Sequence, residues 1–119
     1  MKLRIQTCLL AILIGIASAS CRSRGIDLTI HNNASVPLRN VEVDYPGAAF
    51  GIASISPGDS YWYHIKPLDD GDLTIGFELE NGKNFKQKQA SVHKGEAGRL
   101  VIFVEQDSLE QFRTRIERK

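Results

Sequence analysis

Leu73-Thr74-Ile75-Gly76-Phe77-Glu78-Leu79 runs directly into Glu80-Asn81-Gly82 and then Lys83-Asn84-Phe85-Lys86-Gln87-Lys88. In the first stretch large apolar residues recur at every second position. That is the repeat of a strand with one buried face, because successive strand side chains point to opposite sides. Asn81-Gly82 favours a two-residue type I′ turn, in which both central residues take positive φ. The pattern predicts a hairpin. Its second arm, 83–92, carries one large apolar residue, Phe85, among Lys and Gln, the composition of an edge strand protected by charge.

The same period of two extends in both directions. Ile26, Leu28 and Ile30 alternate with Asp27 and Thr29, and Val41, Val43 and Tyr45 alternate with Asn40, Glu42 and Asp44. A further strand over 48–55 places Phe50 and Ile52 inward and stops at Ser56-Pro57-Gly58-Asp59, where Pro pre-sets one turn dihedral and Gly permits a positive one. Tyr61, Tyr63 and Ile65 then share one face until Pro67, which cannot donate to a ladder. Leu100-Val101-Ile102-Phe103-Val104 is apolar throughout and is expected to be central or covered on both faces. Phe77 and Phe103 are both expected inside. Seven strands joined by short turns predict an all-β fold, a seven-stranded β-sandwich of immunoglobulin or fibronectin type III character over residues 26–105.

Residues 106–119 read differently. Asp107 or Ser108 has the chemistry of a helix cap, Glu110 follows Asp107 at capping-box spacing, and Leu109, Phe112 and Ile116 fall on one helical stripe. The expectation is a short C-terminal helix or tail docked on the sandwich.

At the other end, Lys2 and Arg4 precede an apolar run from Cys8 to Ala17, followed by Ser18-Ala19-Ser20-Cys21. The run is about half of the roughly 20 residues a membrane-spanning helix needs, so residues 1–20 are expected to be an export signal. Ala17-Ser18-Ala19 suits ordinary secretory cleavage, whereas Ala19-Ser20-Cys21 is similar to the end of a bacterial lipobox, with Ser18 where an aliphatic residue usually stands. The chain has two cysteines, and Cys8 leaves with the signal. Lipidation of Cys21 accounts for the remaining thiol, with 21–25 as a tether; a free thiol and an intermolecular disulfide are the alternatives. Arg22, rather than Asp, follows the cysteine. That leaves an outer-membrane anchor facing the periplasm or the surface as the expectation, with a soluble periplasmic or secreted chain as the alternative.

Fifteen Lys and Arg against 14 Asp and Glu argue against nucleic acid as a partner, since phosphate binding needs a concentrated basic face. Lys83, Lys86, Lys88 and Lys94 form one basic stretch, Asp69, Asp70 and Asp72 an acidic knot, and Arg113, Arg115, Arg118 and Lys119 a basic tail; each is expected to be a solvated face.

Ser91-Val92-His93-Lys94 has Ser-x-x-Lys spacing but lies at a strand end, where the lysine is not one helical turn from the serine. His31, His64 and His93 lack metal-ligand spacing. Asp69-Asp70-Gly71-Asp72 is too short for a calcium loop of the EF-hand type and serves equally as a turn. Asn33-Ala34-Ser35 matches a glycosylation sequon but is read as part of a turn. No cofactor and no catalytic group is expected. The remaining candidate is Tyr61-Trp62-Tyr63-His64. Alternation puts Trp62 and His64 opposite Tyr61 and Tyr63, so Trp62 either lies under the C-terminal helix against Phe112 or stands exposed as a contact for a sugar, peptide or protein.

Asn32-Asn33, Val36-Pro37-Leu38-Arg39-Asn40-Val41 and Ser56-Pro57-Gly58-Asp59-Ser60 before an aromatic strand resemble small exported bacterial proteins with one immunoglobulin-like sandwich, many of them lipoproteins of unknown function. The resemblance covers roughly residues 26–105 and implies a fold and a place in the cell envelope. It carries over no catalytic residue. Two functions are expected from these readings: a non-enzymatic module anchored in the membrane through its N-terminal lipid, binding an envelope protein with the 83–92 edge as one route; or a glycan- or small-molecule-binding accessory protein using Trp62, His64, Tyr61 and Tyr63.

Overall fold

The computed structural model describes residues 24–108 and 111–119. Residues 1–23, and with them the expected export signal, the lipobox-like segment and Cys21, lie outside the described residues.

Eight strands follow in order: β1 Ile26–Asn32, β2 Leu38–Tyr45, β3 Ala48–Ile55, β4 Ser60–Ile65, β5 Gly71–Glu78, β6 Asn84–Val92, β7 Gly98–Ser108 and β8 Gln111–Arg118. They form two four-stranded sheets, β4-β1-β7-β8 and β3-β2-β5-β6. No described residue is helical. Between the sheets, Ile26, Leu28, Ile30, Leu100, Ile102 and Val104 meet Val41, Val43, Leu73, Ile75 and Phe77 in one core. The chain is thus an all-β sandwich whose inner faces are the ones the alternation marks. Within it β1 runs parallel to β7 and antiparallel to β4.

Three expectations are corrected. The C-terminal helix is strand β8, antiparallel to β7, so the sandwich has eight strands rather than seven. Phe112 and Ile116 are four apart, a spacing common to one helical turn and two strand repeats; the residues between decide, with Phe112, Thr114 and Ile116 half-buried while Arg113 and Arg115 face solvent. Asp107 caps nothing, and its carboxylate meets Arg113 across the hairpin at 3.3 Å.

The second correction is the turn after β5. Gly82 has φ 81° while Asn81 stays outside the left-handed region. The Leu79 carbonyl accepts from the Gly82 N–H at 3.0 Å, and the Leu79 N–H donates to the Lys83 carbonyl at 2.8 Å. This is a three-residue loop ending in a left-handed glycine, and the Asn81 side chain supports it by accepting from the Lys83 N–H at 3.0 Å.

Third, Phe103 is not inside. Strand β7 is central, but only its even-numbered residues from Leu100 to Val104 are buried. Phe103 lies on the outer face of its sheet, edge-on to His31 with ring centroids 5.9 Å apart and under the Arg115 guanidinium at 4.1 Å.

Two asparagines shape the end of the sandwich where β2 begins. Asn32 is fully buried, and its side chain is satisfied on both sides. Its amide donates to the Val36 and Ile55 carbonyls, both at 2.9 Å, and its oxygen accepts from the Ala34 N–H at 2.9 Å. One side chain thereby ties the end of β1 to the 33–36 turn and to the end of β3. Asn40 takes φ 47° at a bulge where the β2–β5 register shifts between Arg39 and Glu42; its short polar side chain tolerates that conformation. Its amide donates to Glu78 at 2.6 Å.

Candidate functional site

Strand β4 sits at the edge of its sheet beside β1. Its alternation separates the four candidate residues into two places. Trp62 and His64 lie on the outer face, and Trp62, opposite Thr29 of β1, is 63% exposed. The expected cover of Trp62 by Phe112 is therefore corrected: β8 occupies the opposite edge of the same sheet, and Phe112 packs edge-on to Phe77 at 5.6 Å instead. Two cross-strand pairs flank Trp62. Ser60 Oγ and His31 Nδ1 are 2.5 Å apart on one side, and His64 Nδ1 is 2.8 Å from Asp27 Oδ1 on the other.

Tyr61 and Tyr63 turn the other way, into the lateral gap between the sheets. Phe50 of β3 stacks on Tyr63 at 4.2 Å and on Tyr61 at 6.4 Å, and Tyr45 meets Phe50 edge-on at 6.5 Å. Partial burial raises the Tyr45 phenol above its ordinary value, with the neighbouring Tyr63 adding to the effect. The four candidates do not converge on one ligand. Trp62 and His64 make an outer platform, while the tyrosines close a seam.

The other candidates resolve as structural ties. His31, His64 and His93 are bound to separate partners, the last 3.6 Å from Asp70, and no group of three or more metal-ligating side chains occurs among the described residues. Asp70 accepts from the Lys94 N–H at 2.9 Å and Asp72 pairs with Lys88 at 2.9 Å, so the acidic knot ties one loop to another and strand β5 to β6. Ser91 is the penultimate residue of strand β6, and its carbonyl accepts from Arg118 at 2.8 Å.

One feature escaped the sequence reading. β3 and β4, the edge strands on one side of the sandwich, contain no Lys, Arg, Asp or Glu, and Asp59 is the only such residue in 48–65. The edges on the other side are guarded: β6 carries Lys86 and Lys88, and β8 carries Arg113, Arg115, Glu117 and Arg118. Long uncharged edges are the ones open to added strands. The signal was present in composition, but it takes the strand order to show that both uncharged strands are edges on the same side.

No protein family and no curated protein matches this chain. An NMR structure of a protein from Eubacterium rectale is similar in fold, with a TM-score of 0.59 and 12% identity over 79% of this chain and 89% of that one. At that identity the likeness concerns the fold alone.

Proposed function

We propose that this chain is a non-enzymatic module of the bacterial cell envelope, anchored through lipidated Cys21 and binding a partner protein by adding the partner's strand to β3. The uncharged β3–β4 flank carries this reading, because main-chain hydrogen bonds along a free edge supply affinity while side-chain sites beside it select the partner. Here Phe50 and Tyr63 are the neighbouring rings. The binding edge is thus β3 rather than the lysine-bearing 83–92 edge. A photo-crosslinking residue at Ala53 in the native host is expected to give a defined adduct, and one at Lys86 none; adducts from Lys86 alone would sink the proposal.

The likeness to the immunoglobulin and fibronectin type III class is supported by layers, size and inner-face alternation. In the constant-type immunoglobulin order the first two strands share a sheet, whereas β1 and β2 here lie in opposite sheets, so any membership is one of architecture with its own strand order.

The exposure of Trp62 favours a second reading, glycan binding on the outer face of β4, with the indole as stacking platform and His64 and Asp27 as hydrogen-bonding groups. Trp62→Ala is expected to leave the melting temperature unchanged and to abolish retention on a glycan matrix. Retention equal to that of the parent chain would remove this reading.

A further inference from the structure

At the end of the sandwich where β1 starts, four pieces of chain meet with few side chains between them. The Gly98 N–H donates to the Gly25 carbonyl at 3.2 Å, and Arg99 and Lys119 exchange both backbone hydrogen bonds, at 3.1 and 2.9 Å. Gly25 has no room for a side chain, because a Cβ there would lie 2.5 Å from His64 Nε2 and from the Ile65 carbonyl oxygen. The result is an open hollow of about 650 Å³ lined by Arg24, Arg99, Lys119, His64 and Asp27.

The side-chain charges around this hollow are unbalanced locally although the chain is nearly neutral. The Arg24, Arg99 and Lys119 side chains make no ion pair with any described residue, while the nearby side-chain carboxylates are engaged: Asp27 with His64 at 2.8 Å and Glu96 with Arg118 at 3.9 Å. The hollow also lies next to the chain leading to Cys21. Arg24 follows Cys21 by three positions, so by covalent reach alone their Cα atoms are within about 11 Å of each other. Leu68, 64% exposed, stands in the loop after β4 at this same end.

We propose that the hollow holds the phosphate of an anionic lipid headgroup, so that the domain stands on the membrane by this end with Arg24, Arg99 and Lys119 against the headgroups and Leu68 beside them. The orientation rests on the lipid-anchor reading above; the phosphate site does not. Each basic side chain held at an anionic surface strengthens binding by about fivefold, so three give a preference on the order of a hundredfold over a neutral surface. That preference weakens as salt screens it.

The test uses the chain from residue 21 with Cys21→Ser, which keeps the whole core because every core residue lies between Ile26 and Ile116. Co-sedimentation with phosphatidylglycerol vesicles is expected to exceed that with phosphatidylcholine vesicles. The pair Arg99→Glu and Lys119→Glu abolishes the difference. Lys83→Glu with Lys86→Glu, the same charge change at the far end, preserves it. Equal loss in both pairs would reduce the effect to net charge and overturn the site. Amide shifts at Arg99 with inorganic phosphate but no vesicle preference would overturn the lipid as its source. The intact mass of the host-derived protein separates the two proposals: an acylated chain whose Cys21→Ser form shows no anionic preference loses the hollow and keeps the anchor, while an unacylated chain with the preference does the reverse.

Discussion

The two long flanks of the sandwich are closed by similar means and defended differently. On the β6–β8 side Phe77 stacks on Phe85 at 4.7 Å and meets Phe112 edge-on, and the strands bounding this seam carry lysines and arginines. On the β3–β4 side Tyr45, Tyr61 and Tyr63 gather around Phe50, and neither edge strand carries a charge. The first flank behaves as an extension of the core: apolar rings inside, and charges outside that oppose further strand addition. The second presents phenols with an apolar body and a polar rim, and it leaves two edges without the usual deterrent. Aromatic closure therefore does not by itself mark a seam as purely structural; the charges on the strands beside it do.

The contrast breaks most readily at its apolar end. Phe77→Ala removes a ring that is 3% exposed and holds two others; a loss of about 3–5 kcal/mol by denaturant unfolding is expected, and a loss below about 1 kcal/mol would mean that the β6–β8 seam is not continuous with the core. Phe50→Ala empties the centre of the tyrosine seam but from a half-buried position, so about 2 kcal/mol is expected; a cost equal to that of Phe77 would erase the distinction between the flanks. Phe103→Ala on the outer face loses the contacts with His31 and Arg115 and is expected to cost about 1 kcal/mol.

The smallest effect concerns Tyr45. Its phenol is raised above 10.0 in the fold, so the protonated form is favoured there relative to the unfolded chain. The resulting stability is fully present below the unfolded value and is lost as pH rises from about 10 through the folded value. Ultraviolet titration of the parent chain against Tyr45→Phe is expected to show the loss of a phenol that ionises above the ordinary tyrosine value. Loss of an ordinary tyrosine instead would leave the seam fully wet.

Much of the core was legible because burial on one face of a strand imposes a period of two, which residues 26–30, 41–45 and 73–79 display without interruption. The tail was misread because Phe112 and Ile116 satisfy both periods, and the free edge of β7, a tertiary fact, selects the strand. The Asn81-Gly82 loop shows the same limit: the dipeptide marks a turn, while the pairing of Leu79 with Lys83 sets its length. Phe103 was misplaced since an all-apolar strand does not reveal which face is inward. For the candidate site, alternation alone separated Trp62 from Tyr61 and Tyr63. The uncharged flank lies within residues 48–65, but only the strand order shows that both its strands are edges on one side; the basic hollow draws on segments distant in sequence and could not be read along the chain.

The parallel pairing of β1 with β7 has a consequence for the order of assembly. Ile26 lies opposite Ile65 on one side and Gly98 on the other, so the first strand to emerge must wait for much of the domain before both its edges are sealed. Contacts of such long sequence separation slow folding. A chain delivered N-terminus first is expected to remain open until its last third has arrived, and then to close late and all together.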